Sequence, residues 1–201
     1  MANTFVPFGF RDSNLNNAAA PSGAQSVYNI LNTYTTPIYK GDPVVSATTG
    51  YIQQAAPGTT QIAGIFNGCS YTSISQSRRI WMPYWPGTSD AVAGSITAYV
   101  MDSPNQTFLV QTGNGGPFTI ASIQSNANFA VGTGTAANGL SGAYLDFATI
   151  ATTNTLPFRV ISVAGQPGFP TIVGNGSDGT TAFNYAIVAF NNQNYNSLTG
   201  I

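Results

Sequence analysis

The amino-acid sequence predicts an all-β protein, and three of its features indicate this. Apolar residues nowhere recur at the spacing of a capped amphipathic helix. Short runs of β-branched and aromatic residues, bounded by Gly, Pro, Asn or Asp, occur throughout the chain instead. The 22 Gly and 12 Pro residues supply the backbone conformations that tight connections between strands require.

Eleven strands are predicted from these runs, and they are compatible with one or two small β-barrels or sandwiches, SH3-like or jelly-roll-like. They cover residues 26–34, 43–47, 50–54, 62–71, 78–84, 95–101, 107–112, 118–124, 144–150, 158–163 and 184–190. Asn114-Gly115 is expected to form a type I′ hairpin turn between two of them. Asn67-Gly68 lies inside one continuous run, where a bulge or a turn is compatible with the sequence.

The first 24 residues differ from the rest and are interpreted as an extended N-terminal arm. Phe5, Phe8 and Phe10 are separated by Pro and Gly, and small polar residues follow them. These phenylalanines either anchor the arm to a partner surface or cover one end of the protein's own barrel. Residues 25–201 are predicted to form a β-rich body, with two subdomains meeting near 113–117 as an alternative to a single unit.

The composition removes most of the side chains that catalysis uses. The chain has no His and no Glu, with one Lys, four Arg and six Asp, so general acid and base groups are scarce. Cys69 is the only thiol, and among apolar neighbours it is expected to be a buried hydrophobe. Two Asp residues brought together in space would still allow a glycosidase. We expect no enzyme, no catalytic residue, no cofactor and no metal site.

The charge pattern limits the partners in the same way. The basic residues at 11, 40, 78, 79 and 159 form no stripe, and the net charge is −1, so no nucleic-acid partner is expected. No stretch approaches the roughly 18 consecutive apolar residues of a membrane span, so no membrane partner is expected either.

Large aromatic side chains concentrate in residues 78–87. Arg78, Arg79, Trp81, Tyr84 and Trp85 form a mixture that is enriched at interface hot spots. The two tryptophans could equally be core anchors, since a β protein of this size must bury most of its Trp. Together with Phe5, Phe8, Phe10 and Arg11, this segment supplies the candidate interface residues.

Seven segments, taken in order, resemble the small structural proteins that tailed phages encode beside their major capsid protein. The segments are LysGlyAspProVal at 40–44, GlyTyrIle at 50–52, and residues 64–72, 84–87, 98–111, 156–161 and 184–193. The resemblance covers most of the chain from about residue 28 onward, and its first segment also looks like the opening of SH3-like barrels in capsid-decorating proteins.

The resemblance to these cement, or decoration, proteins implies a function. It implies a protein made in the host cytoplasm that binds the virion's capsid exterior at junctions between capsomers. Its partners would be the major capsid protein and itself, as a homotrimer at threefold positions. A receptor- or carbohydrate-binding head-fibre module is the alternative. Exposed Trp and Tyr lining a groove beside a lone Asp would favour it, whereas a flat aromatic patch continuing into an ordered arm would favour a cement protein.

Overall fold

The computed structural model describes residues 2–13 and 25–197 and confirms the all-β prediction. Within that part of the chain there are thirteen strands, three short 3₁₀ turns and no α-helix, hence no helix able to cross a membrane. The strands are β1 (Arg11–Ser13), β2 (Gln25–Asn29), β3 (Pro43–Ser46), β4 (Ile52–Gln54), β5 (Gly64–Ser73), β6 (Arg78–Met82), β7 (Thr97–Met101), β8 (Thr107–Gly113), β9 (Asn126–Ala127), β10 (Phe129–Ala130), β11 (Tyr144–Asp146), β12 (Phe158–Val163) and β13 (Tyr185–Phe190).

The strands form two sheets, one of which is nearly closed like a barrel. The first sheet has the order β2-β7-β5-β3-β4, and β6 pairs with β5 beside β3. Cys69 and Tyr71 alternate into a core, here called the first core, that Trp85 and Val100 complete. Phe66 enters the same core because one extra residue of β5 separates it from Cys69. A register shift between Phe66 and Gly68 shows that the Asn67-Gly68 pair is a bulge.

The second sheet has the order β10-β11-β8-β13-β12-β9, and β1 also pairs with β8. Its core, here called the second core, contains Phe108, Phe129, Phe158 and Phe190. Ile65 and Met101 of the first sheet also belong to this core, so the two sheets pack against each other. After β2 to β7 of the first sheet, the chain enters the second sheet between Met101 and Thr107, and the segment 113–117 follows β8, a strand of the second sheet.

Residues 2–13 of the predicted arm run along the second sheet and pack onto it. β1 pairs antiparallel with β8, and the ring of Phe10 is 1% exposed in the second core. Gly9 has a φ of +78°, and a Cβ there would stand 2.9 Å from the carbonyl oxygen of Gly41. Only Gly therefore lets the segment approach the turn at 39–42 this closely. Residues 14–24 of the predicted arm lie outside the described residues.

Two local predictions are wrong. Residues 118–124 do not form a strand, because Phe118 is buried in a loop and Ile120–Ser122 form a 3₁₀ turn. The Asn114-Gly115 pair therefore cannot connect a hairpin, although Asn114 does adopt a left-handed φ of 59°. β8 pairs with β1, β11 and β13, so its partners come from distant parts of the chain.

Candidate interaction surfaces

Cys69 is held in the first core, away from solvent. Its Sγ donates to the carbonyl oxygen of Tyr84 at 3.5 Å, and burial raises the pKa of the thiol to about 12. The thiol is therefore protonated at neutral pH, whereas a cysteine nucleophile reacts as the thiolate.

Each of the six aspartates accepts a hydrogen bond from a neighbouring group. The donors are Gln106 to Asp12, Ser141 and two further groups to Asp42, Ser73 to Asp90, Tyr28 to Asp102, Ala148 to Asp146 and Thr180 to Asp178. Asp42 and Asp178 stabilise turns, as their positions before Pro43 and Gly179 predict. Over residues 2–13 and 25–197, no three Cys, His, Asp or Glu side chains meet as a metal-binding group.

The structure divides the nine predicted interface residues between two places. Phe5, Phe8, Phe10 and Arg11 lie against the second sheet, whereas the residues from Arg78 to Trp85 lie on and after β6. Phe10 and Trp85 belong to the cores and cannot be surface anchors. The Trp85 indole donates to the carbonyl oxygen of Tyr34 at 3.0 Å, so its N–H is satisfied inside the protein.

The first candidate surface is a groove of about 700 Å³ beside the N-terminal segment, here called the N-terminal groove. Its walls include Val6, Phe8, Leu109, Thr133, Asn175 and Tyr185. Among the described residues that line it, Arg11 alone carries a charge, and its guanidinium lies 4.3 Å from the centre of the Phe8 ring. The groove is thus an apolar surface with amide and hydroxyl groups and one cation.

Residues 3–8, which supply one wall of the N-terminal groove, are hydrogen-bonded and packed against the rest of the chain. The Asn3 side chain donates to the carbonyl oxygens of Asp178 and Ala182, and Gln111 bonds the backbone of Thr4 and Val6. The Phe8 ring meets Tyr185 edge to face at 5.3 Å. The aromatic side chains of the segment are therefore packed against the second sheet.

The second candidate surface is the side of the first sheet that faces away from its core, here called the outer face. It consists of Arg79 and Trp81 of β6, Ser70 of β5, Thr97 and Tyr99 of β7, and Val27 of β2. Trp81 is 59% exposed and lies across Gly68, where a Cβ would stand 3.1 Å from Cζ2 of the indole. Arg79 Nη2 donates to Ser70 Oγ at 2.7 Å and to Thr97 Oγ1 at 2.9 Å.

Neither Arg78 nor Tyr84 lines the N-terminal groove or belongs to the outer face. Arg78 has the opposite strand parity to Arg79, and its Nε donates to the side chain of Gln76. Tyr84 stacks on Tyr39 with ring centres 5.3 Å apart.

Sequence reasoning missed Val27, Ser70, Thr97 and Tyr99. Alternation of polar and apolar residues in 69–72 and 97–100 does place Ser70, Thr97 and Tyr99 on the solvent side of their own strands. No signal in the sequence says that β6, β5, β7 and β2 are neighbours, so their common face could not be predicted.

Comparison with known proteins identifies no relative from which a role for either surface could be inferred. The chain matches no protein-family model, no curated protein and no solved structure.

Proposed function

We propose that the chain is a non-enzymatic structural protein that binds the exterior of a tailed-phage capsid and stabilises contacts between capsomers of the major capsid protein. One observation carries this proposal. The N-terminal groove is a largely apolar surface with a single charged wall residue; exposed Val6 lines it, and exposed Phe5 precedes Val6 in the chain. A surface of this composition suits lasting attachment to another protein.

The proposed occupant of the groove is an extended segment of the major capsid protein. Apolar side chains of that segment would pack against Val6, Phe8 and Leu109, and its backbone would bond the side chains of Thr133 and Asn175. Because exposed charges contribute little, attachment should persist when the Debye length falls from about 10 Å at 0.1 M salt to about 3 Å at 1 M.

The resemblance to cement proteins also implies a trimer at threefold positions of the capsid. A ring of three copies needs one heterologous interface repeated by the symmetry. Sedimentation of the purified protein tests for a trimer off the capsid, and imaging of particles tests for it on the capsid. Isolated monomers on single capsomers would contradict the trimer.

Electron cryo-microscopy of purified phage particles tests attachment directly. Density for the chain should bridge neighbouring capsid subunits and contact the N-terminal groove. Val6→Asp should lower capsid occupancy at least about tenfold, because it buries an unpaired charge in the contact. Val92→Asp is the matched control, because Val92 is also exposed but lies between β6 and β7 and lines no part of the groove; this variant should bind normally. Absence of the chain from particles, or its release at moderate salt, would contradict the proposal.

A further inference from the structure

We infer that the outer face binds an acidic carbohydrate, with a sugar ring stacked on Trp81 and the sugar carboxylate bound by Arg79. This site is separate from the N-terminal groove, so the inference does not depend on attachment to a capsid.

Trp81 presents an immobilised aromatic surface to solvent. The indole atoms Cζ2 and Cε2 lie over Gly68, whose φ of +130° and missing side chain leave room for the ring. More than half of the Trp81 side chain is nevertheless exposed. Buried tryptophans are the norm, so an exposed indole supported by backbone suggests a ligand that stacks on it. The flat C–H face of a pyranose ring is such a ligand.

Arg79 presents a preorganised cation beside this indole. Two hydroxyl groups, from Ser70 and Thr97, hold its Nη2, and it forms no ion pair with any described residue. Nη1 and Nε are the donors left for a carboxylate, and a guanidinium already held in place loses little freedom on binding one. No carboxylate lies among the described residues of the outer face, so the acidic group must come from the ligand.

The spacing of the two side chains fits one sugar residue. The Arg79 guanidinium is bonded to Ser70 and the Trp81 indole lies over Gly68, and these two contact points are two positions apart on β5, or about 7 Å. The distance from the centre of a pyranose ring, through a carboxylate on that ring, to a hydrogen-bonded guanidinium carbon is also about 7 Å. A uronic or sialic acid could therefore stack on the indole and contact the guanidinium at once.

The remaining groups of the outer face favour a sugar over an acidic peptide. Ser70 Oγ lies 3.3 Å from the Tyr99 hydroxyl, and Thr97 adds a third hydroxyl next to Arg79. Ser70 is buried, but the hydroxyls of half-buried Thr97 and Tyr99 can donate to and accept from sugar hydroxyls. The residues named for the outer face line no part of the N-terminal groove, whose apolar walls would suit peptide side chains.

The test is binding of the full chain to a panel of oligosaccharides that carry uronic or sialic acids, each paired with its neutral counterpart. We expect at least one acidic member to bind, to change the fluorescence of the wild-type protein, and to bind more weakly at 1 M salt. Trp81→Ala and Arg79→Gln should each weaken that binding at least about tenfold. Arg79→Lys should recover part of the loss from charge alone.

Arg78→Gln is the matched control, because Arg78 neighbours Arg79 but lies off the outer face; it should bind like wild type. Trp81→Phe should abolish the fluorescence change, since only buried Trp85 then reports. Melting temperatures of all variants should match wild type, because the substituted side chains are exposed.

The inference is overturned if no acidic member binds, if neutral counterparts bind equally, or if the Trp81 and Arg79 variants bind normally. It is also overturned if these two variants lose capsid occupancy instead, which would assign the outer face to an acidic protein segment.

Discussion

The aromatic ring of Phe10 stacks on that of Phe158 inside the second core, with ring centres 4.4 Å apart and planes inclined by 16°. Phe158 in turn meets Phe129 and Phe190, so an N-terminal side chain joins an aromatic cluster built from three later strands. The N-terminal segment thus contributes to the packing of the second core.

Phe10→Ala should therefore destabilise the protein strongly. Removing a fully buried phenylalanine costs about 3–5 kcal/mol of unfolding free energy, because apolar contacts are lost and a cavity remains. Phe5→Ala is the control, since Phe5 is 41% exposed and should cost about 1 kcal/mol. Urea unfolding of the two variants measures both values. Small losses for both would show that the segment is a detachable arm.

The two tryptophans should respond in opposite ways to substitution and to quenching. Trp85→Phe removes a buried N–H bond to Tyr34 and part of the core volume, and should cost about 1–3 kcal/mol. Trp81→Phe should change stability by less than about 0.5 kcal/mol. With Trp85 as its only tryptophan, the Trp81→Phe variant should resist acrylamide quenching, whereas wild type should show one accessible and one protected fluorophore. Equal quenching of both would contradict the burial assigned here.

Cys69 should be unreactive in the native protein. Burial raises the pKa of its thiol to about 12, so little thiolate forms at pH 8 and reagents cannot reach it. A thiol-reactive dye should label no site in buffer and one site per chain in urea. Rapid labelling without denaturant would show that reagents reach Cys69 in the native protein and would contradict its burial.

Asp42 should make the native state less stable as pH rises, which is the reverse of the usual effect of an aspartate. Its carboxylate accepts hydrogen bonds from Tyr39 N and the side chains of Gln54 and Ser141, but burial dominates and raises the pKa of Asp42. A raised native pKa gives a contribution that is complete below the unfolded value of about 4 and is lost as pH rises through the native value. The stability difference between wild type and Asp42→Asn should therefore shrink as pH rises above about 4.

Asp90→Asn supplies a control of opposite sign. Hydrogen bonds from Ser73 and Ser75 lower the pKa of Asp90, so its contribution is present above the unfolded value and is lost as pH falls through the native one. Urea titrations between pH 3 and 8 give both difference curves. Parallel curves for the two variants would contradict the assigned direction for Asp42.

The sequence by itself determined the fold class and the position of most strands. β-branched and aromatic runs with Gly and Pro between them cannot form stable helices, and their alternation gives each strand a core side. Cys69 and the turn at Asp42 were likewise predictable, because their local neighbours decide their environment. The failed strand at 118–124 shows the limit of local pattern, since Phe118 is buried through its place in the second core.

Only the tertiary structure decided which aromatic residues are exposed. Trp81 and Trp85 are four residues apart with similar surroundings in sequence, yet one lies on the outer face and the other in the first core. Phe10 is buried because Phe158, nearly 150 positions away, completes its packing. The outer face exists because β6, β5, β7 and β2 align in one register. Alternation within a strand cannot specify its neighbours, since long-range burial selects them.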